Sequence, residues 1–384
     1  MTGPVYLDCN GSTPLEPRVQ AALLDVLQVP GNPHADHGHG RALRHLYGQA
    51  SERLGALLGV EAEGVVPTSG ATEALHLAHM GVRDVLAASG RRHVVIGAVE
   101  HGASRGAAEA LTASLCGDLT VVPCGSDGRV EAERLLAAVR EDTGFVSLMH
   151  VNNETGAVQP LQDVARGLSA HPALLHVDAA QGFGKATDDL LDGRIDLLSL
   201  SAHKLHGPVG VGALVARPRG RSALEAQLPG HSGLSPLRPG TPPVALLHAF
   251  MVASELAVSE ESERRAKHDI VRSRALDMFR RLGAVVHTPL AHALPHVLSV
   301  ALPGLDGEVA RMALADLVTV GNGSACHAGV PSPVLEAMGV DPALAQATMR
   351  WSWSHLTGVV PWGQIEERLR GLQRGRERGL ALAG

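Results

Sequence analysis

From about residue 50 to residue 215, short apolar runs alternate with helical patterns, and this alternation restricts the fold more than any other feature of the chain. The runs are HVVIGAV (93–99), LTVVPC (119–124), GFVSLMHV (144–151), ALLHVDA (173–179), IDLLSLS (195–201) and GALVARP (212–218). Stretches such as GAAEALTASL and EAERLLAAVRE, with helical spacing, stand between them. The alternation predicts an α/β fold, a mostly parallel sheet with helices on both faces. A Pro- and Gly-rich passage, LPGHSGLSPLRPGTPPV (228–244), ends the pattern. One long helical pattern then runs from about Ala245 to Leu282, and the remainder reads as a smaller α/β unit. The domain change is placed near residue 250.

A chain of 384 residues is long enough for two domains around a substantial core. Its formal net charge of −6 provides no electrostatic footprint for direct nucleic-acid binding or for an anionic membrane. No apolar run approaches the ~18 residues of a membrane span. The opening MTGPVYLDCNGSTP lacks the basic and apolar regions of a signal peptide, so a cytoplasmic location is expected. The four cysteines (Cys9, Cys116, Cys124 and Cys326) form no CxxC pair and are expected to be free thiols in a reducing cytosol. The densest histidine stretch, GNPHADHGHGRALRH, carries no recognisable metal-ligand spacing, and no metal site is expected.

In parallel α/β sheets ligands sit beyond the carboxyl ends of strands, so polar residues just after apolar runs are the informative ones. Asp178 follows one run directly, and either caps a helix or pairs with a protonated ring nitrogen. Lys204 ends the next, between apolar residues and a Gly-rich turn, beside Ser201 and His203. It is one of only three lysines, and is either a solvated surface amine or a partly buried Schiff-base nucleophile. Thr68-Ser69-Gly70-Ala71-Thr72-Glu73 fits a plain capping box, or a glycine turn that offers helix N–H groups and the Thr72 hydroxyl to a phosphate. His101 after a further run is a core histidine or a ring that stacks on an aromatic cofactor. Asn152 and Asn153 suit a turn, or bring an amide to a cofactor's phenolic oxygen. Cys326, beside His327 in a small-residue loop, is a buried hydrophobe or a thiolate nucleophile.

Together YLDCNGSTP, GNPHADHGHG, TSGATE, VEH, HVNNETG, HVDAAQ, SAHKLHGP, RPGT, GSACHAG and MRWSWS resemble, in order and separation, the cysteine desulfurases of the class V aminotransferases, which are fold-type I pyridoxal 5'-phosphate (PLP) enzymes. The resemblance spans almost the whole chain. It implies a large PLP-binding domain at 15–250 with a seven-stranded, mostly parallel sheet, and a small domain from 1–14 and 251–384 that carries the cysteine loop. It implies covalent attachment of PLP to Lys204, pairing of Asp178 with the ring nitrogen, stacking by His101, and contacts near the phenolic oxygen from Gln181 and Asn153. Ala71, Thr72, Ser201 and His203 would bind the phosphate. Thr241 would reach the phosphate of a neighbouring subunit, which requires a homodimer. Asn10, Asn153 and Arg350 would face the substrate, L-cysteine, with Arg350 on its carboxylate. Cys326 would receive the sulfur and pass it to an acceptor protein. Selenocysteine lyase, and a desulfurase dedicated to DNA phosphorothioation, are the alternatives within the same resemblance. The chain departs from it at Gly11-Ser12, at Pro67, in the RPGTPP segment and in a short Cys326 loop.

Overall fold

The computed structural model describes residues 3–230, 233–322 and 332–383. Its strands, in chain order, are β1 (Val5–Leu7), β2 (Val65–Thr68), β3 (His93–Gly97), β4 (Asp118–Val122), β5 (Thr143–Met149) and β6 (Leu174–Asp178). They continue with β7 (Leu197–Ser201), β8 (Gly212–Ala216), β9 (Val285–Val286), β10 (Val297–Ala301), β11 (Val318–Asn322) and β12 (Thr348–Ser352). Seven form one sheet in the order β2-β8-β7-β6-β5-β3-β4. The five from β7 to β4 are mutually parallel, and β8 runs antiparallel to both its neighbours. The expected α/β class, with a seven-stranded and mostly parallel sheet, is therefore the observed one.

Burial on both faces explains the uniformly apolar runs. Successive residues of one strand enter opposite cores, as the period of two demands. Val94 and Ile96 of β3 join one cluster, with Ala74, Leu77, Ala108 and Leu111 of the overlying helices. Val95 joins the other, with Leu54, Leu247 and Phe250. Ile96 is fully buried, and its truncation to alanine costs about 2–5 kcal/mol. The chain reverses its direction of travel across the sheet between β3 and β5, because β4 lies outside β3 and β5 inside it. That switch opens a crevice at the strand ends where the polar motifs lie.

The other five strands make a second sheet, β1-β11-β12-β10-β9, whose single parallel pair is β1 with β11. It has its own core around Phe279, Val300, Trp351, Trp353 and Ile365, in which the Phe279 and Trp351 rings meet edge-on at 5.2 Å. The pattern from Ala245 to Leu282 is two helices rather than one, Val244–Ser259 and Glu261–Arg281. Glu260 between them has φ −102° and ψ 10°, outside helical values, and its carboxylate binds Arg18 and Arg264. Helical periodicity persists through such a break, which is why the sequence pattern reads as continuous. The pattern EAERLLAAVRE likewise gives only a six-residue helix, Ala132–Ala137.

Candidate functional site

The large sheet supplies its polar groups from neighbouring strand ends. Asp178 closes β6 and is buried. Its Oδ1 accepts the Ala180 N–H at 3.0 Å, so the carboxylate also tethers its own turn. Burial pushes its acidity down, raising the pKa, while the Ala180 N–H, His101, Lys204 and His150 oppose that shift. Ser201 closes β7, and His203 and Lys204 form the short helical turn after it. Lys204 Nζ donates to the Asn10 and Gly11 carbonyls at 2.7 and 2.8 Å. The His203 ring is held to Ser12 Oγ at 3.1 Å, and burial, with Lys204 and Lys185 nearby, lowers it to about 4, so it is neutral.

His101 caps helix Gly102–Leu115, its Nδ1 accepting the Ala103 N–H at 3.1 Å. Ala71 and Thr72 open helix Ala71–Gly81, whose N-cap, Gly70, provides no side chain. Glu73 reaches back to the Ser69 N–H at 2.6 Å, which is half of a capping box. With no hydroxyl at the cap, the first turn keeps N–H groups to offer to an anion. Gly70 has φ +155°, open to glycine alone without strain. Gly212 lies against it: a side chain there would meet Leu200 O at 2.4 Å and the Gly70 backbone at 2.8 Å.

Residues 8–16 lie across these strand ends. The Asn10 amide donates to the Asn153 carbonyl at 3.1 Å, and Gln181 Nε2 donates to the Asn10 carbonyl at 3.0 Å. Thr13 bonds the His203 carbonyl through both its N–H and its hydroxyl. Arg350 arrives from β12 fully buried, with Nη2 on Asp8 at 2.7 Å and Nη1 on the Asn153 carbonyl at 3.2 Å. The structure thus brings Asn10, Asn153, Gln181, Lys204 and Arg350 into one hydrogen-bonded set. Thr241 is exposed, on the loop whose Arg238 binds Glu73, and is not part of that set. Cys326 and His327 lie outside the described residues.

Sequence reasoning passed over several groups. Asp8, the partner of Arg350, was visible only as a residue of YLDCNGSTP. Lys185 Nζ donates to the Gln181 and Lys204 carbonyls at 3.0 Å each, and burial, then the Lys204 charge, lowers it to about 7. Glu154, in HVNNETG, accepts from Ser332 Oγ at 2.5 Å, and burial raises its carboxyl to about 7 against the pull of Ser332 and Arg350. Glu100, in VEH, is buried as well. Partner geometry marks all four, with near-complete burial at Glu100 and Glu154, and a single sequence displays neither.

Three buried polar atoms of this set have no protein partner among the described residues: Asn10 Oδ1, Gln181 Oε1 and Arg350 Nε. Buried polar groups are ordinarily satisfied, so two acceptors and a guanidinium edge point to a ligand with matching donors and an anionic group. A ring with a protonated nitrogen for Asp178, an aldehyde for Lys204 and a phosphate for the uncapped turn fits the donor set. No group of histidine, cysteine or carboxylate side chains able to hold a metal ion occurs among the described residues. No helix among them is long and apolar enough to cross a membrane.

Comparison with known proteins agrees with this geometry. The aminotransferase class-V family model matches residues 5–357. The cysteine desulfurase IscS of Vibrio cholerae (O395) is 36% identical over 365 residues, covering 92% of this chain and 89% of that protein. A solved structure titled as a NIFS-like protein superimposes with a TM-score of 0.88 at 31% identity, covering 97% of this chain and 99% of that one. SspA, solved in complex with cysteine, superimposes with a TM-score of 0.77 at 28% identity, covering 91% of this chain and 98% of that one. The chain belongs to the class-V aminotransferase family, in its cysteine desulfurase branch.

Proposed function

We propose that this protein converts L-cysteine to L-alanine, leaving the sulfur as a persulfide on Cys326 for transfer to an acceptor protein. The observation that carries the reading is the placement of Asp178 at the end of β6 and Lys204 just past the end of the adjacent β7, with Lys204 among the charges that bear on the buried carboxyl. The family is PLP-dependent, and this chain's donor set fits that cofactor. When bound, PLP supplies an electron sink and an aldehyde with which amines condense. Asp178 would hold the ring nitrogen protonated, and His101 would lie against the ring. Gln181 and Asn153 would serve the phenolic oxygen, and Ala71, Thr72, Ser201 and His203 would hold the phosphate.

The rest of the chemistry is assigned to this chain's own side chains. Arg350 and Asn10 orient the substrate by its carboxylate, and the Asp8 contact fixes the guanidinium plane. Lys204 Nζ takes the α-proton and returns a proton to carbon. The Cys326 thiolate attacks the substrate sulfur, so one S–S bond forms as one C–S bond breaks and the departing carbon is protonated to alanine. The division at residues 15–250 against 1–14 and 251–384 follows the two sheets, with Thr241 completing a phosphate site across a homodimer. Cytoplasmic residence keeps the Cys326 thiol reduced.

The test feeds ³⁵S-cysteine to the purified protein and separates it without reductant. Label bound to wild type, absent from Cys326→Ser, with alanine released, is the expected result. Alanine without bound label would remove Cys326 from the mechanism. Cys326→Ser turnover of selenocysteine alone would instead favour the selenium lyase.

A further inference from the structure

We propose that Glu100 is a positioning residue for Asp178: a neutral carboxylic acid wedged between the ends of β3 and β5, which leaves Asp178 the single buried anion beneath the cofactor ring. The proposal rests on the PLP reading above. Glu100 is 6% exposed. Its Oε1 accepts the Met149 N–H at 2.6 Å, and its Oε2 lies 2.9 Å from Ser104 Oγ. Met149 is the register partner of Asp178. The two carboxyls therefore occupy the strand ends on either side of β5.

Only neutral groups hold the Glu100 oxygens. A carboxylate buried among neutral partners sheds its charge by taking a proton, and two neighbouring carboxyls resist ionising together. The surroundings decide which one keeps the proton. Asp178 has His101, Lys204 and His150 acting on it, and the Ala180 N–H. The charged groups bearing on Glu100 are Asp178 itself, which repels, and Arg105, whose Nη2 donates to the Ala98 carbonyl. Burial first, and Asp178 with it, push Glu100 up to about 8 against the pull of the Met149 N–H, the Ser104 hydroxyl and Arg105. A chain of neutral groups accommodates the acid proton. Ser104 Oγ lies 3.5 Å from Ser147 Oγ, which is 2.8 Å from His176 Nδ1, and His176 Nε2 is 2.9 Å from Ser199 Oγ. The carboxylate form has Ser104 donating to Glu100; with Glu100 protonated that bond runs from the acid to the serine, Ser104 donates to Ser147, and Ser147 to His176, which burial keeps unprotonated. Every member is then satisfied in one sense of donation.

The role differs from that of a buried anion in what substitution does. Gln matches a protonated acid, since its carbonyl accepts from Met149 and its amide donates to Ser104, whereas Ala strands both. The test uses the full-length holoenzyme. Infrared spectra at pH 7 should show the carbonyl stretch of a protonated carboxyl, lost in Glu100→Gln and titrating with a midpoint near 8. PLP affinity should fall about tenfold in Glu100→Ala, with Glu100→Gln recovering most of it. A yellow wild type without the band, or Glu100→Gln as damaging as Glu100→Ala, overturns the proposal. A colourless wild type overturns the cofactor reading, and with it the purpose assigned to Glu100, whatever the band shows.

Discussion

In the large sheet, the polar groups of the site stand at or just beyond strand ends; in the second sheet, Arg350 sits at the centre of an antiparallel strand, opposite Ser299 on β10 and Gly321 on β11. The first arrangement needs only that a buried strand stop. The second needs space made for a guanidinium inside a packed layer. Gly321 makes it: a side chain there would meet Asp8 Oδ1 at 2.5 Å and Arg350 Nη2 at 3.1 Å. Groups at strand ends are exchanged with little effect on the sheet, while a buried mid-strand charge is tied to a counter-ion and a glycine. Under the proposed mechanism, the contrast separates the part of the site assigned to proton transfer from the part assigned to the substrate carboxylate.

Four measurements would break or sharpen that contrast. The largest effect is expected from Lys204→Ala, which should abolish the yellow colour and lower alanine release at least about a hundredfold, the low end for a positioned proton-transfer group. Retained colour would move the reactive amine away from the β7 strand end. Arg350→Ala should raise KM for cysteine about 10- to 100-fold with a smaller change in kcat, as loss of charge-assisted bonds predicts. An unchanged KM would leave the second sheet without a substrate role.

Lys185 gives a subtler outcome. Its folded value, near 7, lies below the ordinary 10.5, so between those values the unfolded chain binds more protons than the folded one. Stability contributed by this site therefore rises as pH increases from about 7 towards 10.5. Lys185→Met should flatten that rise in thermal unfolding scans, and an identical slope would show that the amine keeps its proton. The smallest effect is expected at the surface pair Arg53–Glu255, exposed on the other side of the large sheet's core. Arg53→Ala should change unfolding free energy by less than about 1 kcal/mol.

The same contrast governs what was readable in advance. Asp178 and Lys204 were conspicuous because each stands at or just after a mainly apolar run, and strand ends in parallel sheets are where ligands bind. Arg350 lies in MRWSWS, where nothing in the local pattern separates a buried functional arginine from an exposed one, and only the family resemblance singled it out. The break at Glu260 was invisible because it preserves helical spacing while changing one residue's backbone. Glu100 was overlooked since an acidic residue after a strand ordinarily reads as a surface cap, and its neutral partners come from β5 and from a helix that follows it.

The pair that joins Asp8 to Arg350 spans 342 positions of chain. A contact between such distant residues closes late, because the intervening polymer must first be ordered to repay the entropy of bringing its ends together. On a ribosome, the Arg350 guanidinium emerges after every strand of the large sheet has been made. A polypeptide that stops just short of β12 therefore contains every strand of the large sheet and lacks the Asp8–Arg350 pair.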